Sequence, residues 1–84
     1  MNPTRDIITG WLAGLPTMKR RATINADTEL IEEGVLDSLA ILDLVAFLED
    51  RFKVVMPVEE FVPENFRTPA TIAALAERLG ENVA

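Results

Sequence analysis

The sequence predicts a small all-α domain, a four-helix bundle made of three main helices and one short helix. Apolar residues recur at helical spacing in separate segments. The first and last of these segments open on a capping residue followed by Pro and close near a Gly. The most β-like stretch, Val54-Val55-Met56, runs straight into Pro57 and has no second strand to pair with.

Each element follows in order. Asn2-Pro3 reads as an N-cap and first helical residue. Ile7, Ile8, Trp11, Leu12 and Leu15 then form one stripe, and Gly14 and Pro16 close a helix over about residues 3–15. Residues 17–36 show no sustained period and form a long loop, of a kind that is usually functional. Leu30, Ile31 and Val35 are expected to pin it to the core, with a short helical turn within it. The best helical pattern spans residues 38–52, where Ile41, Leu44, Val45, Leu48 and Phe52 make a core seam. Ala40, Asp43, Ala46 and Asp50 fall mostly elsewhere on that wheel. Leu39 and Leu42 lie off the seam and leave apolar surface beside Ser38. Phe61, Val62 and Phe66 around Pro63-Glu64-Asn65 predict a short helical turn. Thr68-Pro69 opens the last helix, with Ile72, Leu75, Ala76 and Leu79 on one face and Gly80 at its end.

Composition narrows the chemistry. The 84 residues suit one domain, expected to cover 1–84, with a thin core that leaves little room for a deep catalytic cleft. The chain has no Cys, His or Tyr, so disulfides, thiolate metal sites and Ser-His-Asp or Cys-His catalysis are excluded. The formal net charge of −6 and pI near 4.5 argue against nucleic acid and anionic membranes and for basic protein partners. Residues 1–21 carry Arg5, Lys19, Arg20 and Arg21 against Asp6, a formal +3, whereas residues 22–84 sum to −9. With no signal-peptide pattern, no apolar run long enough to span a bilayer and no leftover apolar stripe, the expectation is a cytoplasmic monomer without membrane insertion.

One position stands out for chemistry. Ser38 lies where the long loop meets the N-terminus of the most amphipathic helix. Unpaired backbone N–H groups and the positive end of the helix dipole gather there, and both favour a phosphate ester. Asp37 beside it could contact a magnesium ion brought by a modifying enzyme. Taken alone, Asp37 or Ser38 reads first as a plain helix cap, since Asp and Ser are preferred in that role, and the two residues by themselves do not establish a function.

The wider pattern is more specific. The stretch Leu30-Ile31-Glu32-Glu33-Gly34-Val35-Leu36-Asp37-Ser38-Leu39 resembles the phosphopantetheine attachment motif of the acyl carrier protein superfamily. Leu42, Leu44, Val45, Leu48, Glu49 and Phe52 match that family's second helix. Val54-Val55-Met56-Pro57 is similar to the loop after it, and Thr68-Pro69 with Ile72 to the start of its last helix. The similarity runs over about residues 4–80. The stretches Pro57 to Phe61 and Phe66 to Pro69, with Gly34 to Ser38, look like the free-standing D-alanyl carrier proteins.

The resemblance implies an acyl-carrier type of bundle bearing covalent 4′-phosphopantetheine on Ser38, with Asp37 assisting the modification. The arm's thiol would hold an acyl or aminoacyl cargo as a thioester, and the protein itself would catalyse nothing. The implied partners are a phosphopantetheinyl transferase, an adenylating ligase or acyltransferase, and downstream enzymes of a specialised biosynthetic pathway. Fatty acid synthesis stands second. Leu39, Leu42, Asp43, Ala46 and Asp50 would form the recognition surface. The family commonly has small residues where Ile41 and Phe47 stand; pointing inward, these would shrink the acyl cavity and favour short or polar cargo. A reading of another class is an unmodified helical adaptor that binds basic partners and uses Ser38 only as a cap.

Overall fold

The computed structural model describes residues 3–16 and 24–81. The expected cap at Asn2 and the basic run Lys19-Arg20-Arg21 lie outside them. Three α-helices make the frame: α1 Pro3–Ala13, α2 Ser38–Phe52 and α3 Pro69–Glu81. Two 3₁₀ turns, Val58–Glu60 and Pro63–Phe66, sit between α2 and α3. No strand occurs among the described residues, and Val54-Val55-Met56 is an extended loop. Val54 and Met56 are buried and Val55 is exposed, so the segment alternates like a strand without pairing.

In α1, Ile8 and Leu12 are fully buried, and Trp11, with Leu15 just after the helix, packs against the core from its edge. The helix stops at Ala13, slightly before the expected end, and the chain turns through Gly14 N–H to Trp11 C=O and Leu15 N–H to Leu12 C=O, both 3.1 Å. α3 buries Ile72, Ala73, Leu75, Ala76 and Leu79 against α1 and the Pro63–Phe66 turn. Its start is secured as expected: the Thr71 amide donates to Thr68 Oγ1 at 3.1 Å. Gly80, however, does not end it, for the helix continues to Glu81. Glycine weakens a helix by about 1 kcal/mol relative to Ala but does not forbid it.

α2 has the bounds its periodicity predicts, and Leu44, Val45 and Leu48 are buried. Ala40 is buried too, against the expectation that it lies off the seam. Ile41 and Phe52 are only partly buried. At the far end Lys53 takes a left-handed conformation (φ 55°) where Gly is usual, and its amide bonds back to Glu49 C=O. The Glu49 carboxylate then accepts from the Met56 amide at 2.8 Å, so α2 holds the loop that follows it.

The segment before α2 is pinned by Leu30 and Val35, both fully buried, and by backbone bonds. The Leu30 amide donates to Arg67 C=O at 2.7 Å, and the amides of Val35 and Leu36 return to Leu30 C=O at 2.8 and 3.0 Å. A further bond, Ala70 N–H to Ala26 C=O at 3.1 Å, fixes the same segment to the first turn of α3. Gly34, at φ 77°, reverses the chain within this knot, a backbone state that side chains with Cβ adopt at a cost. Ile31 does not join the core as expected. Leu30 takes the inward position, and Ile31 is 37% exposed on the outer side of the turn.

Candidate functional site

The structure decides which of Asp37 and Ser38 caps α2. Asp37 is the N-cap: its backbone is extended and Oδ1 accepts from the Ala40 amide at 2.8 Å. Ser38 is therefore the first helical residue, exposed, and its hydroxyl takes no part in a hydrogen bond among the described residues. The amides of Ser38 and Leu39 have no intrahelical acceptor at this position. With no acidic side chain in the first turn of α2, the positive end of a 15-residue helix faces the serine, tempered by the Asp37 carboxylate. Ser38 is also the sole serine of the chain.

The five residues expected to form a recognition surface, Leu39, Leu42, Asp43, Ala46 and Asp50, are all exposed on α2, along the face that Ser38 begins. Leu39 is 74% and Leu42 58% exposed, so both leucines present apolar surface to water beside Ser38. Asp50 meets Lys53 at 3.9 Å, but both side chains are almost fully exposed and the pair contributes little.

Beside Ser38 lies an open apolar groove of about 330 Å³, lined by Ile31, Ile41, Leu42, Phe61, Val62 and Phe66 together with Ser38 and Pro63. Sequence reasoning placed Phe61 and Val62 only in a turn packed by its aromatics. Phe66 does fill the core, yet Phe61 is 42% exposed, tilted at 45° to Phe66 with ring centroids 6.2 Å apart. An aromatic two residues before Pro63 is the sole sequence signal for this wall.

A polar buckle holds that wall in place. Asn65 Nδ2 donates to Glu60 C=O at 2.8 Å and to Glu60 Oε1 at 3.0 Å, and Arg78 Nη2 on α3 donates to the same oxygen at 3.0 Å. The hydrogen bond from Arg78, then that from Asn65, lowers the Glu60 pKa from its ordinary 4.5. Phe47, one of the two side chains expected to narrow an internal cavity, points to the other side of α2 and stacks on Trp11 at 5.4 Å and 22°. Ile41, the other, lines the groove.

Residues 17–79 match the family model described as the phosphopantetheine attachment site. The chain belongs to that family. Its prosthetic group is a covalently attached 4′-phosphopantetheine, and the residues of this attachment domain fit it: an exposed, unbonded serine hydroxyl, a helix N-terminus suited to a phosphodiester, and an apolar groove alongside.

Among curated relatives, the attachment domain is 40% identical over 48 residues to a D-alanyl carrier protein of Bacillus velezensis, covering 57% of this chain and 62% of that one. It is 41% identical over 56 residues to the probable acyl carrier protein PigG of Serratia sp., covering 67% and 64% of the two chains. These matches thus span somewhat less than two thirds of each relative. A third, 36% identical over 76 residues, is the lincomycin biosynthesis protein LmbN of Streptomyces lincolnensis, covering 90% of this chain but 27% of that larger protein. A chain in a solved structure, described as the crystal structure of an FAD-dependent dehydrogenase, superposes with a TM-score of 0.70 at 32% identity, covering 88% of this chain and 99% of that one.

Proposed function

We propose that Ser38 receives the 4′-phosphopantetheine and that the protein is a carrier, presenting an acyl or aminoacyl group as a thioester to enzymes of a specialised biosynthetic pathway. The observation that carries this is the unbonded hydroxyl of the chain's sole serine, exposed at the N-terminus of α2 beside an apolar groove. In the modification, a phosphopantetheinyl transferase brings coenzyme A. The Ser38 Oγ–P bond forms as the pyrophosphate P–O bond breaks. Adenosine 3′,5′-bisphosphate leaves, and the hydroxyl proton passes to a base of the transferase. Asp37 supplies a carboxylate next to the reacting oxygen that can contact the transferase's magnesium ion. The prosthetic group supplies a thiol, which this chain lacks entirely.

The chain has no part in bond-making beyond Ser38 and acts as a substrate of its partners, not as an enzyme. Leu39, Leu42 and Ala46, flanked by Asp43 and Asp50, form the docking strip for basic enzyme surfaces, with charge raising the encounter rate. An adenylating ligase or acyltransferase loads the cargo. The relatives named for D-alanine and for lincomycin biosynthesis favour a dedicated pathway over fatty acid synthesis. The solved structure named for a flavin dehydrogenase adds that class to the partners to be tried. We read residues 1–84 as one carrier domain working as a cytoplasmic monomer; no helix among the described residues is long and apolar enough to cross a membrane.

Incubation with coenzyme A, magnesium and a promiscuous transferase tests the proposal. Intact mass is expected to rise by one phosphopantetheine in the parent and not in Ser38→Ala. No gain in the parent, with a control carrier modified in parallel, would reject it and leave the unmodified adaptor.

A further inference from the structure

We infer that Arg78, on α3, is a positioning residue for partner docking: through Glu60 it fixes the segment 57–62, and with it the aromatic side chain that an enzyme meets beside Ser38. This rests on the carrier reading above and adds a residue outside both the attachment motif and the strip on α2.

The segment is a unit of its own. Pro57 opens it and Pro63 follows it, and neither has a backbone N–H to offer a neighbour. Its backbone bonds are local: Glu60 N–H to Pro57 C=O, Phe61 N–H to Val58 C=O and Val62 N–H to Glu60 C=O, at 3.0, 3.0 and 2.9 Å. Among the described residues, no backbone bond joins 57–62 to an α-helix. None of its residues is buried, and Val58 is 82% exposed. The stretch before α2 differs on both counts, for Ala26 bonds to the first turn of α3 and Leu30 and Val35 fill the core.

Polar side chains anchor the segment instead. Asn65 holds Glu60 from the next turn, and Arg78 Nη2 makes the segment's one hydrogen bond to an α-helix among the described residues. Arg78 stands in the last turn of α3, between buried Leu75 and Leu79 in sequence, so its backbone is held by the core. It pairs with no other carboxylate among the described residues. A lone exposed ion pair does little. This one shares Glu60 Oε1 with Asn65 Nδ2, and the Glu60 side chain is only 27% exposed.

Glu60 directly precedes Phe61, so what holds one holds the other. Phe61 and Leu42 adjoin Ser38 from opposite elements, and an enzyme that reaches the Ser38 hydroxyl comes against both. Beyond Glu60, Phe61 is steadied by its ring contact with Phe66, at 6.2 Å between centroids. Without Arg78 the segment loses its tie to α3, and docking has to order Phe61 afresh, which weakens binding. The Asp37–Ala40 bond that places Ser38 on α2 does not involve the segment, so the chemical step is spared.

The test measures kcat and KM of a promiscuous phosphopantetheinyl transferase, with coenzyme A and magnesium, on the parent and its variants. Arg78→Met is expected to raise KM for the protein about three- to tenfold and to leave kcat unchanged. Arg78→Lys keeps a cation within reach and should recover most of that loss. Glu60→Ala should raise KM as much as Arg78→Met does, and adding Arg78→Met to it should change nothing further. In methyl spectra, Arg78→Met should shift Val58 and Val62 and leave Leu30, Leu44 and Leu48 in place. An unchanged KM, a fall in kcat alone, or an equal effect of Arg78→Met with and without Glu60 would overturn the inference. Should Arg78→Met not fold, Glu60→Ala and Arg78→Lys decide by the same criteria. If the parent itself gains no phosphopantetheine, the carrier reading fails separately, and unmoved Val58 and Val62 methyls in Arg78→Met would still overturn the positioning role.

Discussion

At the scale of single residues, Asp37 caps α2 directly beside the serine proposed to carry the prosthetic group. Removing the acceptor of the Ala40 amide in Asp37→Ala should cost about 1 kcal/mol, lowering Tm by roughly 4–8 °C in a domain of this size. Asp37→Asn keeps a capping oxygen and should melt close to the parent, while modification by the transferase slows because the charge beside Ser38 is gone. Equal modification rates in Asp37→Asn and the parent would confine Asp37 to capping. Gly34 supports a second residue-scale prediction. A Cβ there meets nothing within 4 Å, so Gly34→Ala pays only for the left-handed backbone, about 1–2 kcal/mol in chemical denaturation. The motif around Ser38 was legible in the sequence. The division of labour was not, since Asp and Ser are both preferred caps and only the Asp37–Ala40 bond decides between them.

Elements show where local pattern suffices and where it stops. The limits of α2 and the inward face of α3 follow from periodicity, because a stripe such as Ile72, Leu75, Ala76 and Leu79 has one stable way to be buried. The groove beside Ser38 does not follow from periodicity. It needs Ile31 from the loop, Ile41 and Leu42 from α2, and Phe61 and Val62 from the segment between the 3₁₀ turns. No local signal records that these meet. The burial of Ala40 was not read from periodicity either.

The buckle between Glu60, Asn65 and Arg78 makes this wall pH-sensitive. The Glu60 pKa is lowered in the folded state, so its contribution is complete above the unfolded carboxylate range and is lost as pH falls through the folded value. Melting the parent and Glu60→Gln side by side should show the parent ahead at pH 7 and the gap closing toward pH 3. A gap that does not narrow would place the stabilisation elsewhere. On the opposite end of α2, Glu49→Ala strands the Met56 amide and should cost about 1–2 kcal/mol, read from urea midpoints.

For the whole molecule, composition already set the outline. A chain without Cys or His and with −6 net charge cannot mount thiol or imidazole chemistry of its own, and it repels acidic partners. The acidic strip predicts that Asp43→Ala with Asp50→Ala lowers kcat/KM for the transferase several-fold at low salt, with the difference shrinking at high salt as charges are screened. A difference that does not change with salt would assign the effect to the shape of the strip instead of its charge.

The central claim is that Ser38 alone carries the prosthetic arm, and tandem mass spectrometry of the modified protein addresses it most directly. Fragments of the peptide spanning Leu36 to Arg51 should place one phosphopantetheine on Ser38 and release the pantetheine ion characteristic of a phosphodiester. The modification on any threonine, or an unmodified Ser38 after complete reaction of a control carrier, would contradict the account.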